Sequence, residues 1–553
     1  MSEDPAADGA GRVAAVFAGL LDHWVAASPV TATQLGDHSR DGELDDWSPA
    51  TADERLRAVS ALRARLGSLD AQAVDAEVAG DALLLADALD AMEFELAVRR
   101  SHACDPLFFL GLATGAVHEL IRRDDLDPGP LRPALAARAA QVPRLLRQAQ
   151  ELLTEVSAPH REVALLRLPG AQHLFAEVLP QFAPSAADAG RAAAAACASF
   201  GAWLSDHDGP SPDWRLGADR WSGALRLALG VRMAPDELFT RAQQRRAELQ
   251  DRMEDLSRTV LGDGAGLSGP DLVRAGVAAA SVDQSRPADL VIDAAAVLTD
   301  IREFIRQWGD FALPEPDTLR VEEVPPFMQG VAVAYFVPAP PLETDAPHTY
   351  YLSPVPDSWE SEQVASFLRE YNIHALRSVG IHEAYPGHYV QLAFAQRHPR
   401  LLRRALWNSA FAEGWAVYVE RQMIAAGFGD AYGDADGARM RLISAKMEMR
   451  SLANALLDQG LHIQGWSDEH ALSLMVDATY QEPAEAQAKL LRGKVTAGQL
   501  STYFVGGEEM DDLRDDVRAA RGTDFSAAAF HADVLAQGTP PFPVLRRALL
   551  GET

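Results

Sequence analysis

The chain has 553 residues, with 50 Lys or Arg against 79 Asp or Glu and a formal net charge of −29 at pH 7. A content of 48% hydrophobic and 23% charged residues is typical of a folded protein and excludes wholesale disorder. The acidic excess argues against nucleic acid or an anionic membrane as a partner, because both require clustered Lys and Arg. The two cysteines, Cys104 and Cys197, are too few for a disulfide framework or a cysteine-rich metal site.

The N-terminal residues carry no targeting pattern. They are acidic and lack the basic segment and apolar core of a signal peptide. The apolar stretches of the chain are shorter than the roughly 18 residues that a membrane span requires. We therefore expect a cytoplasmic protein without a membrane partner.

Segments rich in Ala, Leu, Arg and Glu follow one another over residues 1–310, with apolar residues spaced three and four apart. From residue 311 prolines become frequent and separate short β-prone pieces. The predicted fold is mainly α, with a small β-sheet near residues 316–353. The predicted helices cover residues 52–69, 81–99, 130–156, 186–205 and 234–261, and the β-prone pieces cover residues 318–321, 330–336 and 348–352.

The same change in composition suggests a division of the chain. We assign residues 1–310 to an N-terminal helical half and residues 311–553 to a half that carries the candidate site. One continuous helical domain around a cleft fits the sequence equally well.

The segment with the clearest chemistry is HEAYPGHYVQ, residues 382–391. It follows an apolar stripe that predicts one helix from residue 359 and places His382 on the buried face of that helix. A His followed by Glu383 begins like the HExxH zinc signature, in which two His bind the ion and the Glu acts on a water. The second His, His388, comes at i+6 rather than i+4, which is nearly the opposite side of a regular helix.

Pro386 and Gly387 provide a way to bring the two histidines together. The proline cannot donate to the carbonyl of His382, and its ring clashes there, so the helix must kink or bulge. Gly387 then permits backbone angles that return His388 toward His382. The spacing predicts a pair of ligands that depends on the Pro-Gly step.

A third ligand is predicted on the following helix. Glu413 and Glu420 lie on one apolar line with four- and three-residue spacing. Buried carboxylates need cations or hydrogen-bond donors, because an unpaired buried charge is very costly. A metal ion meets this need for Glu413. Glu420 is placed to accept a hydrogen bond from a ligand imidazole, and an ion pair with an arginine is the alternative.

The pattern HExxPGHxxQ followed by an E-G-W-A helix resembles the bacterial domain-of-unknown-function 885 family, which is grouped with zincin-like metallopeptidases. Residues 29–41, PVTATQLGDHSRD, and residues 497–503, AGQLSTY, extend the resemblance toward both ends of the chain. The resemblance implies a large helical, zincin-like body around a deep cleft.

The resemblance also implies roles for particular side chains. His382, His388 and Glu413 would be the ligands of one zinc ion, and Glu383 would be the general base.

Three further residues match the family on the substrate side of the site. Tyr503 and His462 are candidate donors to a developing oxyanion, and Arg492 is a candidate to pair with a substrate carboxylate. From the sequence alone, Tyr503 could equally be a core tyrosine, His462 a hydrogen-bonded packing residue and Arg492 a surface arginine.

Together these features predict a zinc-dependent hydrolase that cleaves an amide or peptide bond. The family resemblance implies that its substrates are short peptides, cleaved by an oligopeptidase or carboxypeptidase type of activity. Two alternatives stay open: hydrolysis of a non-peptide amide, and a catalytically silent binding protein that keeps the zincin shape. Other divalent ions such as Mn or Co also suit two His and a carboxylate. The oligomeric state and the length of the substrate are open as well.

Overall fold

The Ala- and Leu-rich segments of the chain form helices, and the proline-rich stretch after residue 311 forms a small sheet. The predicted mainly α fold is confirmed. The computed structural model describes residues 5–67, 74–123, 125–207, 209, 211–231, 233–262, 266–324, 334–356 and 359–551. By their contacts these residues group into two units, Met1–Ala228 with Pro340–Ala346, and Leu229–Ala339 with Pro347–Thr553.

The first unit is built from helices. Four predicted helices are confirmed here with their ends shifted by a few residues, and residues 68 and 69 of the first prediction lie outside the described part of the chain. The helices are α1 Pro5–Ala27, α2 Pro29–Leu35, α3 Pro49–Leu66, α4 Ala76–Phe94, α5 Ser101–Cys104, α6 Pro106–Ile121, α7 Pro128–Leu152, α8 Ala158–His173, α9 Leu179–Phe182, α10 Ala187–Asp206 and α11 Gly217–Gly223. Short π-helical turns follow α4, α8 and α11, at Glu95–Arg99, Leu174–Val178 and Ala224–Ala228.

None of the described helices is by itself long and apolar enough to cross a membrane. One bent pair, Ala76–Cys104 with Pro106–Ile121, meets the criteria of length and composition jointly, with a bend of 90° at its break.

A network of charges ties the loop Pro340–Ala346 to the rest of the first unit. The ring of His38 hydrogen-bonds to Asp41 at 2.8 Å and to Glu343 at 2.7 Å. Arg123 donates to Glu343 at 2.6 Å. The hydrogen bonds to Asp41 and Glu343 outweigh burial and raise the pKa of His38 to about 9.

The second unit contains the sheet and the remaining helices. The strands are β1 Leu319–Glu323, β2 Ala334–Val337 and β3 His348–Leu352. The helices are α12 Pro235–Leu261, α13 Gly269–Ala280, α14 Leu290–Trp308, α15 Ser361–Glu370, α16 Ile373–Glu383, α17 His388–Gln396, α18 Leu401–Ala405, α19 Ser409–Ala425, α20 Asp434–His462, α21 Asp468–Ser473, α22 Pro483–Val495, α23 Thr502–Arg521, α24 Ala527–Leu535 and α25 Phe542–Leu550.

The sheet has the order β1–β3–β2, with β1 parallel and β2 antiparallel to β3. Every residue of the central strand β3 is buried. The predicted strand pieces are confirmed, except that residues 330–333 of the second piece lie outside the described residues.

The grouping by contacts assigns residues 229–310 to the second unit, whereas the predicted division placed them in the first half. One reason is the close packing of α14 on α16, where a Cβ built at Gly380 would lie 3.1 Å from the side chains of Leu298 and Ile301. As a statement about folding domains, the division at residue 310 stays a prediction.

The prediction of a single helix from residue 359 through His382 is wrong. The chain forms α15 and α16 instead, and the break lies between Glu370 and Ile373. Asn372 starts the second helix, because its side-chain oxygen accepts hydrogen bonds from the backbone N–H groups of His374 and Ala375 at 3.1 and 3.2 Å.

Candidate metal centre

The two histidines of the 382–391 segment lie on different helices that meet at a tight turn. Helix α16 ends at Glu383 and α17 begins at His388, so the chain makes a full break where a kink or bulge was expected. A Cβ at Gly387 would lie 1.9 Å from the carbonyl oxygen of His382, so only glycine fits the turn. The indole of Trp415 donates to the carbonyl of Pro386 at 2.9 Å and holds the turn against α19.

This turn brings the predicted ligands together. The rings of His382 and His388 lie 4.8 Å apart between centroids, with their planes at 85°. Oε2 of Glu413 lies 3.3 Å from Nε2 of His382 and 3.5 Å from Nε2 of His388. The three residues can offer ligand atoms that all lie within 4.8 Å of one another.

These distances fit a shared ion better than hydrogen bonds. Oε2 of Glu413 is buried and has no hydrogen-bond partner among the described residues. N–H···O bonds are normally shorter, about 2.9–3.0 Å. Two ligand atoms that bind one tetrahedral zinc at about 2.0–2.1 Å lie about 3.3–3.4 Å apart. The donor set therefore has the chemistry and the spacing of a zinc site.

Glu420 orients one of the rings. Its Oε1 lies 2.7 Å from Nδ1 of His382, on the side of the ring opposite Glu413. Burial lowers the pKa of His382, but the interactions with Glu413 and Glu420 raise it more, so the net shift is upward. Burial raises the pKa of Glu413. The imidazoles of His382 and His388 lower it more, so the pKa of that carboxyl lies well below its usual range.

Glu383 is the last residue of α16 and lies close enough to the centre to sense its charges. Burial raises the pKa of Glu383, and the neighbouring imidazoles of His382 and His388 oppose that rise. Tyr350, in the buried strand β3, has a pKa raised by burial and further by the charge of Glu383. The carboxyl is therefore within electrostatic range of both the metal-site candidates and the sheet.

Tyr503 and Arg492 lie together beside the centre. The ring of Tyr503 lies 6.5 Å from the ring of His382 between centroids. The charge of Glu413 and burial raise the pKa of Tyr503, while the charge and hydrogen bond of Arg492 lower it. Arg492 is exposed to solvent. The pair thus offers one phenol and one guanidinium near the predicted ligands.

His462 has a different environment. It is 1% exposed, and its Nε2 lies 2.8 Å from the carbonyl oxygen of Gly493, to which it can donate. This contact packs α20 against α22 and corresponds to the packing role that the sequence left open. Its role as an oxyanion donor stays a prediction.

A second group, Asp283, His374 and Asp436, also has ligand atoms within 4.8 Å of one another. Arg439 already binds both carboxylates, at 2.9 Å for Asp283 and 3.5 Å for Asp436. Arg377 donates to Nδ1 of His374 at 3.1 Å, which leaves the proton of the neutral ring on Nε2. The group is therefore an ion-pair cluster and lacks a free imidazole lone pair for a cation.

Residues 29–549 match the profile of the family described as bacterial protein of unknown function, DUF885. The chain belongs to the DUF885 family. A comparison with curated proteins gives no match.

Two solved structures resemble this DUF885 chain over nearly its whole length. One is a candidate lipoprotein of unknown function from Shewanella oneidensis, with 25% identity and a TM-score of 0.82, covering 97% of this chain and 98% of that one. The other is a candidate lipoprotein from Colwellia psychrerythraea, with 16% identity and a TM-score of 0.79, covering 99% of each chain. Both support the fold of the DUF885 chain.

Sequence reasoning missed two features that hold the DUF885 centre in place. Helices α19 and α23 cross at two glycines, where a Cβ on Gly414 would lie 2.4 Å from the backbone of Gly506. The crossing sets the spacing between the helix of Glu413 and the helix of Tyr503. The adjacent Gly414-Trp415 pair in the E-G-W-A motif was the available signal, since a glycine inside a helix often marks close packing.

The second missed feature is Asp458, which is fully buried on α20. Its carboxylate accepts hydrogen bonds from the hydroxyl of Ser501 at 2.7 Å and from the backbone N–H of Gly498 at 3.0 Å. These hydrogen bonds fix the segment from Gly498 to Ser501, which leads into α23 and ends two residues before Tyr503.

Proposed function

We propose that this chain is a zinc-dependent hydrolase that cleaves amide bonds in short peptides. The observation that carries the proposal is the convergence of His382, His388 and Glu413, with a buried oxygen of Glu413 that has no hydrogen-bond donor among the described residues. Two His and one carboxylate are the protein ligands of many catalytic zinc sites, which keep a fourth position for water or substrate.

The chemistry follows from the groups around that position. A divalent ion held by the three ligands would polarise the scissile carbonyl and lower the pKa of a water toward about 7. Glu383 would accept the proton of the attacking water and deliver it to the leaving nitrogen. Tyr503 would donate a hydrogen bond to the oxygen on which negative charge develops, a contact typically worth about 3 kcal/mol.

Arg492 supports a short peptide as the substrate. It is exposed, and it contacts Tyr503, so its guanidinium is available to a carboxylate held near the reacting carbonyl. This arrangement favours a free C-terminus close to the scissile bond, as in a carboxypeptidase or an oligopeptidase. A non-peptide amide that carries a carboxylate is the chemical alternative.

The first experiment is the metal content of the purified protein, measured by plasma mass spectrometry beside two histidine variants. We expect about one zinc per chain in the wild type and its loss in His388→Ala. His374→Ala is the matched control, because His374 belongs to the ion-pair cluster and should leave the zinc content unchanged. Zinc retained in His388→Ala would contradict the proposed ligand set.

The second experiment separates an enzyme from a silent binding protein. Wild type and Glu383→Gln are assayed on a library of short peptides and N-acyl amino acids, with zinc content measured in parallel. We expect the Glu383→Gln protein to keep its zinc and to lose its hydrolytic activity. Zinc binding by wild type without turnover of any library member would favour the binding protein instead.

We also propose a location for the chain outside the cytoplasm. The two structural neighbours are described as candidate lipoproteins, and this description favours a location outside the cytoplasm for proteins of this fold. It does not support the cytoplasmic location expected from the sequence. Fractionation of cells that express the chain, followed by mass measurement of the mature protein, distinguishes the two.

A further inference from the structure

Helix α17 carries a glutamine whose buried amide is unsatisfied. Gln391 is 0% exposed, and neither its Oε1 nor its Nε2 has a hydrogen-bond partner among the described residues. Buried side-chain amides nearly always have partners, so each exception calls for an explanation. Gln391 is also the last residue of the 382–391 segment, and the proposed function gives it no part.

One turn earlier on the same helix, a second buried atom lacks a partner. Nδ1 of His388 has no hydrogen bond within the described residues. His388 and Gln391 are separated by three residues in α17, so both side chains occupy one face of the helix. Two unsatisfied groups of complementary character therefore share that face, one ring nitrogen and one amide.

The other histidine of the centre shows what is missing. Nδ1 of His382 has the carboxylate of Glu420 at 2.7 Å. A metal-binding imidazole normally donates its second N–H to such an acceptor, which fixes the tautomer and directs the free lone pair at the ion. In the part of the chain that the structure describes, no carboxylate takes this position beside Nδ1 of His388.

We propose that Gln391 positions His388 for metal binding. Its amide oxygen accepts, through one bridging water, the hydrogen bond that Nδ1–H of His388 donates. The proton is thereby held on Nδ1, and the lone pair of Nε2 stays directed toward Glu413 and His382. The inference rests on the proposed metal site and adds a residue that acts on a ligand without touching the ion.

The test measures zinc affinity and metal-free stability in the same set of variants of the full chain. Zinc dissociation constants come from competition with a chromophoric chelator, and thermal unfolding is recorded after dialysis against EDTA. Gln391→Leu should weaken zinc binding about 10- to 100-fold. It should leave the metal-free melting temperature unchanged, because Gln391 makes no side-chain hydrogen bond to any described residue that the substitution could remove.

Two further variants make the result specific. Gln391→Glu keeps an acceptor oxygen and should recover most of the zinc affinity. Gln396→Leu, on the same helix, removes the hydrogen bond between Oε1 of Gln396 and Nε2 of His348, whose length is 3.0 Å. It should lower the metal-free melting temperature and leave zinc affinity unchanged.

The possible outcomes separate the inference from the proposed function. Wild-type zinc affinity in Gln391→Leu would overturn the role of Gln391 and leave the metal site standing. A loss of metal-free stability in Gln391→Leu as large as that in Gln396→Leu would also overturn it, since the residue would then be structural. Absence of zinc binding in the wild type would remove the metal site, and the inference with it.

Discussion

Replacing Gly387 by alanine tests whether the turn between α16 and α17 builds the metal centre. The new Cβ would lie 1.9 Å from the carbonyl oxygen of His382 and 2.3 Å from that of Ile381. Both neighbours are backbone atoms, and Cβ contacts under 3.0 Å essentially do not occur, so the backbone must move by at least about 1.1 Å. The residue that follows is His388, whose ligand atom must be placed within about 0.2 Å.

We therefore expect Gly387→Ala to weaken zinc binding by at least about a hundredfold, the upper end of what loss of a ligand's orienting partner costs, because here the ligand itself is displaced beyond its tolerance. Gly380→Ala on α16 is the matched control. Its Cβ would meet the ends of the Leu298 and Ile301 side chains at 3.1 Å, which can shift by a few tenths of an ångström, and would make an ordinary contact with Val297 at 3.5 Å.

The assay is chelator competition for zinc, with circular dichroism to show that each variant keeps its helices. Gly380→Ala should bind zinc like the wild type. A folded Gly387→Ala protein with wild-type zinc affinity would refute the argument, because the turn would then tolerate a side chain without moving His388.

Three other predictions concern parts of the structure beyond this turn. Glu420→Ala should weaken zinc binding about 10- to 100-fold, since it removes the acceptor that orients His382; chelator competition measures this, and unchanged affinity would count against the orienting role. Gly506→Ala would place a Cβ 2.0 Å from a backbone oxygen of the crossing helix and should destabilise the protein by about 1–3 kcal/mol or more in urea unfolding; a neutral effect would mean that the crossing is loose. His38→Gln tests the charge network of the first unit: a pKa raised to about 9 gives stabilisation that is complete below pH 6.5 and is lost as the pH rises through 9. The difference in free energy of unfolding between wild type and His38→Gln should therefore decrease as the pH rises from 6.5 through 9. A difference that stays constant with pH would contradict the pairing of His38 with Asp41 and Glu343.

The sequence predicted several of the local contacts at the candidate metal centre. The helix carrying Glu413 and Glu420 was found from apolar spacing alone, and both carboxylates contact His382 as one face of a helix requires. The approach of His388 to His382 was also predicted, because a Pro-Gly step interrupts a regular helix. The structure achieves this approach by ending α16 and starting α17, and not by a kink or bulge within one helix.

Contacts between distant segments were out of reach. The crossing at Gly414 and Gly506 joins residues that are 92 positions apart, and no local sequence pattern indicates that these two glycines contact each other. Glu343 binds His38 across 305 residues, from a loop that the pattern of prolines marked only as non-helical. The break at Asn372 was missed because the apolar spacing of α15 continues into α16, while the cap that starts α16 depends on a single side chain.

Helix α19 contacts both nitrogens of the His382 ring, Glu413 at Nε2 and Glu420 at Nδ1. In the proposed site, one rigid element would thus supply an ion ligand and also fix the proton on a second ligand, His382. Any slide or rotation of that helix disturbs the two together, because seven residues of regular helix keep the carboxylates at a constant separation. If the proposed site binds zinc, metal occupancy and the position of α19 should change together, so that the bound ion would anchor this helix in the second unit.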